Sequence, residues 1–274
     1  MSTAFREIDG IRCYAPEVAR SHADYPAEGF DVTAQIEARS FWCRARNRLL
    51  RDVFERLTDR TRPLDVLEIG CGTGFVLKAL SAVSNLRLVG SEIYLQGLRY
   101  ARETVPDVTF IQLDATKMPF RSEFDVIGAF DVLEHIADDR RVIDQVKLAL
   151  RPGGMFVITV PQYQWMWSRL DEVVEHKRRY TRADLLGKLQ DAGFTIRYMT
   201  SFVTLLFPVM VMSRVLSKSR SRPQDARGEF AAKVTIPAPV NWVFDKVMRV
   251  EEALLRVGLR LPFGGSLLIV GIRQ

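Results

Sequence analysis

The chain has 274 residues, of which 47% are hydrophobic and 26% are charged, and this balance is typical of globular proteins. It excludes a disordered or a fibrous chain, and the length allows one main domain with insertions. The net charge of +6 tolerates anionic partners such as phosphates or lipid headgroups but requires none, so a nucleic-acid partner is not expected.

The cysteines and the N-terminal residues bear on the cellular compartment. Cys13, Cys43 and Cys71 are odd in number and have no C-x-x-C spacing, so we expect neither a disulfide framework nor a cysteine-rich zinc site. The first fifteen residues lack a basic stretch followed by an apolar run of signal-peptide length. These features predict a cytoplasmic protein.

The first predicted element is a helix over residues 33–57 with a strongly basic face. From residue 64 onward, short apolar runs alternate with amphipathic stretches that have apolar residues three and four apart. The runs are nearly continuous in Val, Ile, Leu and Phe, as in strands covered on both faces. Alternating elements predict an α/β fold, a Rossmann-like, doubly wound, mostly parallel sheet. The predicted strands cover residues 64–70, 86–92, 108–114, 124–131 and 154–161, and the helices residues 74–83, 94–105 and 138–150.

The C-terminal part continues the pattern. A helix is predicted over residues 181–194, with Thr181 as N-cap and Gly193 as C-cap. The elements predicted after it are a strand over residues 195–202, a helix over 241–259 and a closing strand over 264–273.

One apolar segment, Phe202–Met212, is followed by basic residues in the stretch 213–222. It is too short to cross a bilayer core of about 30 Å. Two interpretations stay open, a buried segment and one that lies on a membrane surface. Residues 217–227 are predicted to form a polar loop.

A glycine-rich turn joins the first strand of the predicted sheet to the next helix. In VLEIGCGTG, Gly70, Gly72 and Gly74 stand at alternate positions, where a ligand can approach the backbone without a Cβ in the way. A dinucleotide fingerprint would require glycine where Phe75 stands, and a P-loop would end in Gly-Lys-Ser/Thr. A merely tight turn would need one glycine. The turn therefore predicts a cofactor loop that does not hold a phosphate.

Two carboxylates end the next two strands. Glu92 follows the glycines by about 20 residues, where a carboxylate can accept both hydroxyls of an unphosphorylated ribose. Asp114 can accept the exocyclic amine of an adenine. Taken singly, each acid could equally be a cap or a surface charge. Together they favour a ligand with adenine, free ribose hydroxyls and no phosphate, which describes S-adenosylmethionine.

The segments VLEIGCGTG, SEI, LDATKMPF, FDVIGAFDVLEHI and LRPGG, in this order, resemble the class I S-adenosylmethionine-dependent methyltransferases of the type 11 and type 23 group. The resemblance implies a seven-stranded sheet, a cofactor-binding core at residues 61–200, and a C-terminal apolar and helical insertion with a closing strand at 201–274. Glu68 and the glycine loop would hold the methionine moiety, and Asp131 would line the methyl-transfer pocket. The cofactor-binding residues implied are Glu68, Gly70, Cys71, Gly72, Gly74, Glu92, Ile93, Asp114, Ala115 and Asp131.

Two flanking segments are similar to parts of type 23 members. SFWCRARNRLL resembles a segment that lies over the cofactor, so residues 1–60 are predicted to form a helical N-terminal lid. MWSRLDEVVEHKRRYTRADL resembles a segment beyond the fifth strand, where substrate-covering insertions enter this fold. The acceptor-binding residues that these segments imply are Phe41, Trp42, Arg46, Trp167, Arg178, Arg179 and Tyr180.

Two histidines are candidate catalytic residues. The sulfonium methyl is already activated, so the enzyme must mainly hold the acceptor in line and exclude water. An acceptor that carries a proton also needs a base, which His135 or His176 could supply. If they are not catalytic, His135 would only pack against or cap the turn that follows its strand, and His176 would lie in an exposed, charged turn. Asp131, Glu134 and His135 form a D-x-x-E-H array, which is similar to the E-x-x-E-H of ubiquinone-pathway O-methyltransferases, where a magnesium ion is implied. Hard cations prefer more oxygen ligands than this array supplies, so no metal ligand is predicted, and the use of a divalent ion stays open.

Three functions remain open from the sequence. The first is a methyltransferase of biosynthetic or secondary metabolism that acts on oxygen, nitrogen or carbon of a small-molecule acceptor. The second is a membrane-associated methyltransferase with a lipid-linked or quinone acceptor. The third is a non-catalytic or non-methylating protein that binds S-adenosylmethionine. The sequence specifies neither the acceptor nor the oligomeric state.

Overall fold

The computed structural model describes residues 5–21, 27–217 and 236–274. In these ranges nine strands form one sheet with the order β1-β2-β5-β4-β3-β6-β7-β9-β8. The strands are β1 (Arg6–Ile8), β2 (Ile11–Cys13), β3 (Leu64–Ile69), β4 (Leu86–Glu92), β5 (Thr109–Gln112), β6 (Phe124–Phe130), β7 (Leu150–Pro161), β8 (Phe194–Phe202) and β9 (Ser266–Arg273).

The centre of the sheet is parallel, as the sequence predicts. Strands β3, β4, β5, β6 and β7 all run in one direction, whereas β9 is antiparallel to both β7 and β8. The chain adds β4 and β5 on one side of β3 and then β6 and β7 on the other, so the strand order reverses at β3 and its two neighbours are β4 and β6. The carboxyl ends of the five parallel strands therefore meet at one edge, where doubly wound folds bind their ligands.

The predicted seven strands, β3 to β9, are extended by a hairpin that the sequence analysis did not predict. Strands β1 and β2 are antiparallel, and β2 pairs in parallel with β5. Asp9 and Gly10 form the turn, both with positive φ, and Asp-Gly is a strong signal for a two-residue hairpin turn. The segment 1–60 is therefore not wholly helical.

Nine helices accompany the sheet within the described ranges. They are α1 (Ala27–Ile36), α2 (Phe41–Leu57), α3 (Phe75–Leu80), α4 (Leu95–Thr104), α5 (Asp139–Ala149), α6 (Arg169–Val173), α7 (Arg182–Asp191), α8 (Phe207–Ser217) and α9 (Ala238–Arg256). Short 3₁₀ turns occupy Ala115–Lys117, Leu133–His135 and Gln164–Met166.

The prediction of one continuous helix over residues 33–57 was wrong. The structure divides it into α1 and α2, and Ser40 in extended conformation is the N-cap of the second helix. The Ser40 hydroxyl accepts a hydrogen bond from the Cys43 N–H, and serine favours this position because it satisfies an otherwise unpaired donor.

Apolar layers cover both faces of the sheet. On one face, Leu67, Ile127 and Phe156 pack against α5 and α7. On the other face, Val66 and Val157 pack against α2 and α9. Neighbouring residues of β3 thus enter opposite layers, as expected for strands buried on both sides.

The apolar segment Phe202–Met212 ends β8 and forms most of α8. Glu251 of α9 anchors the turn between them, since its buried carboxylate accepts hydrogen bonds from the N–H groups of Val203, Thr204 and Leu205. Lys218, Arg220 and Arg222, and with them the predicted polar loop beyond Ser217, lie outside the described residues. Where the structure describes the chain, no helix has the length and apolar character needed to cross a bilayer.

Candidate functional site

The glycine loop connects β3 to α3 at the carboxyl edge of the sheet. Gly70, Gly72 and Gly74 all have positive φ, between 52° and 81°. At Gly70 an added Cβ would stand 2.6 Å from Val132, so the space there is closed to a side chain. At Gly72 no atom of the described residues lies within 4 Å of such a Cβ. The middle of the loop therefore faces open space that a ligand can occupy.

Glu92, the last residue of β4, is buried beside this loop. One carboxylate oxygen accepts the Gly72 N–H at 3.1 Å and the other accepts the Ile93 N–H at 2.7 Å. Each oxygen keeps a lone pair, because a carboxylate has about four acceptor positions. Burial raises the pKa of Glu92, and these two N–H groups oppose the shift.

Asp114 follows β5 and caps the short turn Ala115–Lys117. Its Oδ1 accepts hydrogen bonds from the N–H and the hydroxyl of Thr116, at 2.9 and 2.7 Å. Its Oδ2 lies 3.7 Å from the Lys117 ammonium. The second oxygen is the one placed to accept an amine from a ligand, and Ala115 is buried behind it.

Glu68 in β3 differs from Glu92 and Asp114 because one of its buried oxygens lacks a hydrogen-bond partner in the described part of the chain. Its side chain is buried, and among the described residues its Oε2 has no hydrogen-bond partner. Burial raises the pKa of Glu68 to about 8, with Arg46 opposing the shift. A buried acceptor without a donor is costly, and the α-ammonium of S-adenosylmethionine would supply that donor. These acids and the open space at Gly72 fit the cofactor. Cys71 is a buried apolar contact, since burial raises the pKa of its thiol well above the usual range.

Asp131 follows β6 with a positive φ of 59°. Its Oδ2 accepts hydrogen bonds from Arg46 at 2.7 Å and from Thr159 at 3.1 Å. The Arg46 guanidinium lies over the Trp42 ring, 4.8 Å from its centroid. The structure thus brings together three residues that the sequence assigned separately to cofactor and acceptor, and Arg46 joins α2 to the edge of the sheet.

Glu37 is a residue that the sequence analysis missed. It follows α1, and its buried carboxylate accepts the hydroxyl of Thr73 in the glycine loop at 2.6 to 2.7 Å. This bond fixes the N-terminal segment to the loop. The sequence carries no signal for it, because 36 residues separate the partners.

The two candidate catalytic histidines come together in the structure. The ring centroids of His135 and His176 are 4.6 Å apart, and the rings are nearly perpendicular. Glu134 is buried beside them, with its Oε1 3.9 Å from the His176 Nε2. Burial lowers the pKa of His135 to about 3, so its imidazole is neutral near neutral pH. The charged segment Leu170–Thr181 therefore folds back onto the turn that follows β6.

Asp171 holds this segment in place. Its buried carboxylate bonds the His176 Nδ1 at 2.9 Å and the Arg179 guanidinium at 2.7 and 3.1 Å, and it closes a capping box with Ser168. Although burial opposes it, the bonds from His176 and Arg179 hold the pKa of Asp171 below its usual range. Asp171 is one of the positions at which this segment resembles type 23 members, and the spacing Ser-x-x-Asp is the sequence signal for its capping box.

Several predicted acceptor-binding residues are engaged elsewhere. Tyr180 is fully buried, and its hydroxyl donates to Asp139 at 2.6 Å. Arg178 also pairs with Asp139, at 3.0 Å. Phe41 packs edge-to-face on Phe244 of α9. Because these contacts already satisfy the side chains, their geometry favours a supporting role over direct contact with an acceptor. Trp167 remains partly exposed after the turn Gln164–Met166.

Comparison with known proteins agrees with this geometry. The family described as "Methyltransferase domain" matches residues 37–198, more than half of the chain. A probable S-adenosylmethionine-dependent methyltransferase of Mycolicibacterium smegmatis is 27% identical over 174 residues, which are 62% of this chain and 66% of that protein. The match thus spans just under two thirds of that relative.

Solved structures share the fold at low identity. The complex between the Haloferax volcanii Trm112 methyltransferase activator and a methyltransferase has a chain that superposes with a TM-score of 0.60 at 18% identity, covering 93% of this chain and 97% of that one. The [4+2]-cyclase SpnF superposes with a TM-score of 0.56 at 20% identity, covering 85% and 83%. The fold therefore accommodates different chemistries, whereas the matched family is specific. The chain belongs to the methyltransferase domain family, within the class I S-adenosylmethionine-dependent methyltransferases of the type 11 and type 23 group.

Proposed function

We propose that this protein transfers a methyl group from S-adenosylmethionine to an oxygen or nitrogen of a small-molecule acceptor, in a biosynthetic reaction. The observation that carries the proposal is that the predicted cofactor acids and the two histidines lie at the same edge of the sheet. Glu68 lies one residue before the end of β3, Glu92 ends β4 and Asp114 follows β5. The pair His135 and His176 lies at the same edge, after β6 and β7. A cofactor site and an acceptor site with polar groups therefore adjoin.

The proposed roles of the cofactor residues follow from the carboxylate oxygens that still have room for a hydrogen bond from a ligand. Glu68 would take the ammonium of the methionine moiety, Glu92 the ribose hydroxyls, and Asp114 the adenine amine. When bound, S-adenosylmethionine supplies an electrophilic methyl on a sulfonium, and its S–CH₃ bond breaks as the bond to the acceptor forms. The chain itself must orient the acceptor, exclude water and receive or conduct away the acceptor proton.

The N-terminal segment contributes to closure of this site. Glu37 fixes it to the glycine loop through Thr73, and the pair Arg46 and Trp42 extends from α2 toward Asp131. The acceptor would enter between this pair and the histidines. Trp167, which is partly exposed beyond β7, is the other aromatic residue that we assign to the acceptor site.

The test of the cofactor half is calorimetry with S-adenosylmethionine. Asp114→Asn removes the charge that would receive the adenine amine, and we expect binding about tenfold weaker, since a bond to a charged group contributes about 1.5–3 kcal/mol. Asp107→Asn, an exposed carboxylate in the preceding loop, is the matched control and should bind as the wild type does. Equal affinities for both variants and the wild type would contradict the assignment.

The test of the transfer half uses S-adenosylmethionine with a labelled methyl group and a panel of phenols, hydroxy acids, sugars and amines. We expect label in at least one acceptor and loss of turnover in His176→Ala without loss of cofactor binding. Cofactor binding with no transfer to any acceptor, in parallel with an active control methyltransferase, would favour the non-methylating alternative.

A second candidate, action at a membrane surface, is supported by an exposed apolar patch. Leu205, Val209, Met212 and Val215 project from α8 and its preceding turn, and all four are exposed. Phe207 links this helix to exposed Trp165, with ring centroids 5.9 Å apart. Such a face can bind at a bilayer surface. Absence of co-sedimentation with anionic vesicles at low salt would remove this candidate.

A further inference from the structure

Glu134, His135 and His176 form a donor cluster that is not contiguous in the sequence. One ligand atom from each of them lies within 4.8 Å of the others. Asp131, the first acid of the D-x-x-E-H array, is engaged with Arg46 and Thr159 instead. The fold thus replaces that acid with a histidine from beyond β7, and the donor set becomes two nitrogens and one carboxylate.

Glu134 supplies the second, independent observation. Its side chain is fully buried, and in the part of the chain that the structure describes neither carboxylate oxygen has a hydrogen-bond partner. A buried carboxylate without donors is strongly disfavoured unless a cation or a proton compensates it. A helix cap or a packing contact does not explain such a side chain.

The imidazole of His176 is already held in place through one of its two ring nitrogens. The carboxylate of Asp171 bonds the Nδ1 of His176, which leaves Nε2 directed toward Glu134. Metal-binding histidines characteristically use their other ring nitrogen in this way, to a carboxylate or to a backbone carbonyl.

We propose that Glu134, His135 and His176 bind one divalent ion of the Zn²⁺ type. Two imidazoles with one carboxylate form a borderline-soft donor set, which suits zinc and its transition-metal neighbours better than Mg²⁺ or Ca²⁺. Three protein ligands leave at least one coordination position open. His176 is 15% exposed, so the ion can enter from the acceptor side.

This site deepens the proposed function and rests on it for its role. An acceptor hydroxyl in the open position would lose its proton to water at a lower pH, because the ion lowers the pKa of a bound hydroxyl group. The oxygen lone pair would then form the O–CH₃ bond while the S–CH₃ bond breaks. The acceptor class is therefore one that presents a hydroxyl, such as a phenol or an enol, beside the cofactor.

The test is metal content of the full chain without an affinity tag. After incubation with Zn²⁺ and removal of the excess, we expect one zinc per chain by mass spectrometry, unchanged by excess Mg²⁺. Replacement by Co²⁺ should give visible absorption bands of a nitrogen-containing coordination sphere. These readouts do not depend on turnover.

Matched variants separate the site from nonspecific binding. Glu134→Gln and His176→Gln should each lose the stoichiometric ion, and Asp171→Asn should weaken binding by about 10–100-fold. Glu172→Gln, an exposed carboxylate on α6, and His22→Ala, the third histidine of the chain, should retain one zinc. Thermal unfolding identifies any variant that fails to fold, and the half-buried His176 is the substitution least dependent on the core.

The outcomes distinguish this site from the function that it serves. Less than stoichiometric zinc in the wild type, or equal zinc in the wild type and both ligand variants, would overturn the metal site. Glu134 would then be a buried neutral acid. Stoichiometric zinc without methyl transfer would keep the metal site and contradict the methyltransferase proposal. Full methyl transfer by protein that is shown to bind no zinc would support the methyltransferase proposal and contradict the metal site.

Discussion

Glu68 combines deep burial with an unused acceptor atom. Its pKa, raised to about 8 by burial, means that the folded chain holds a proton on Glu68 at neutral pH, which the unfolded chain, with a value near 4.5, does not. A raised pKa stabilises the fold fully below about pH 4.5, and this contribution is lost as the pH rises toward 8. The free protein is thus primed to release a proton when a cation arrives.

We expect cofactor binding at pH 7 to release up to one proton, because the methionine ammonium favours the charged form of Glu68. Calorimetry in two buffers with different ionisation enthalpies measures this release. Glu68→Gln should bind with an enthalpy that is closer to buffer-independent. A wild-type enthalpy identical in both buffers would contradict the assignment of Glu68 to the ammonium.

Sequence reasoning identified the strand-end residues because parallel strands bring their carboxyl ends together by construction. The positions of Glu92 and Asp114 could be predicted in this way. Glu37 and the contact between His135 and His176 were not, since they depend on how loops fold back onto the sheet. Tyr180 is a different case, because its position in the motif does not reveal that its hydroxyl is already bonded to Asp139.

Among the elements, α8 depends on a single buried carboxylate. Glu251 accepts three N–H groups from the turn that leads into α8, and this turn includes Val203 at a φ of 59°. A valine in that conformation is costly, so the bonds from Glu251 compensate local strain. The prediction of an apolar segment here was correct in composition, but the sequence did not reveal its anchor on α9, 46 to 48 residues away.

We expect Glu251→Gln to destabilise the fold by about 1–3 kcal/mol, since an amide offers one acceptor oxygen to three donors. Urea unfolding measures the change in free energy. Glu55→Gln, which removes only an i,i+4 pair on α2, should change stability by less than about 0.5 kcal/mol. Similar values for the two variants would show that the turn does not require the charge.

At the scale of the whole molecule, α2 from the N-terminal part of the chain packs against α9 from the C-terminal part, over one face of the sheet. Arg48 of α2 bonds both carboxylate oxygens of Glu252 and also Asp245. These side chains are at most 23% exposed, so solvent screens the pairs less than it would on the surface. The network holds the helix that carries Arg46 in position at the cofactor edge.

Arg48→Met should cost about 2 kcal/mol of folding free energy, because it removes the partner of the buried Glu252 carboxylate, whereas Asp245 keeps Arg44 and Arg249. Arg51→Met on the exposed side of the same helix should cost less than about 0.5 kcal/mol. A double-mutant cycle with Glu252→Gln isolates the pair. Absence of coupling would mean that apolar packing alone docks the helices.

The β1–β2 hairpin has a consequence for behaviour in concentrated solution. Without it, the unpaired backbone groups of β5 would lie on the outer side of the sheet and could template strand addition from another chain. Strand β2 pairs with β5, and the outer edge becomes β1, a three-residue strand that carries Arg6 and Glu7 and is too short and too charged to recruit a neighbour. We expect the hairpin to reduce strand addition from another chain at this edge of the sheet.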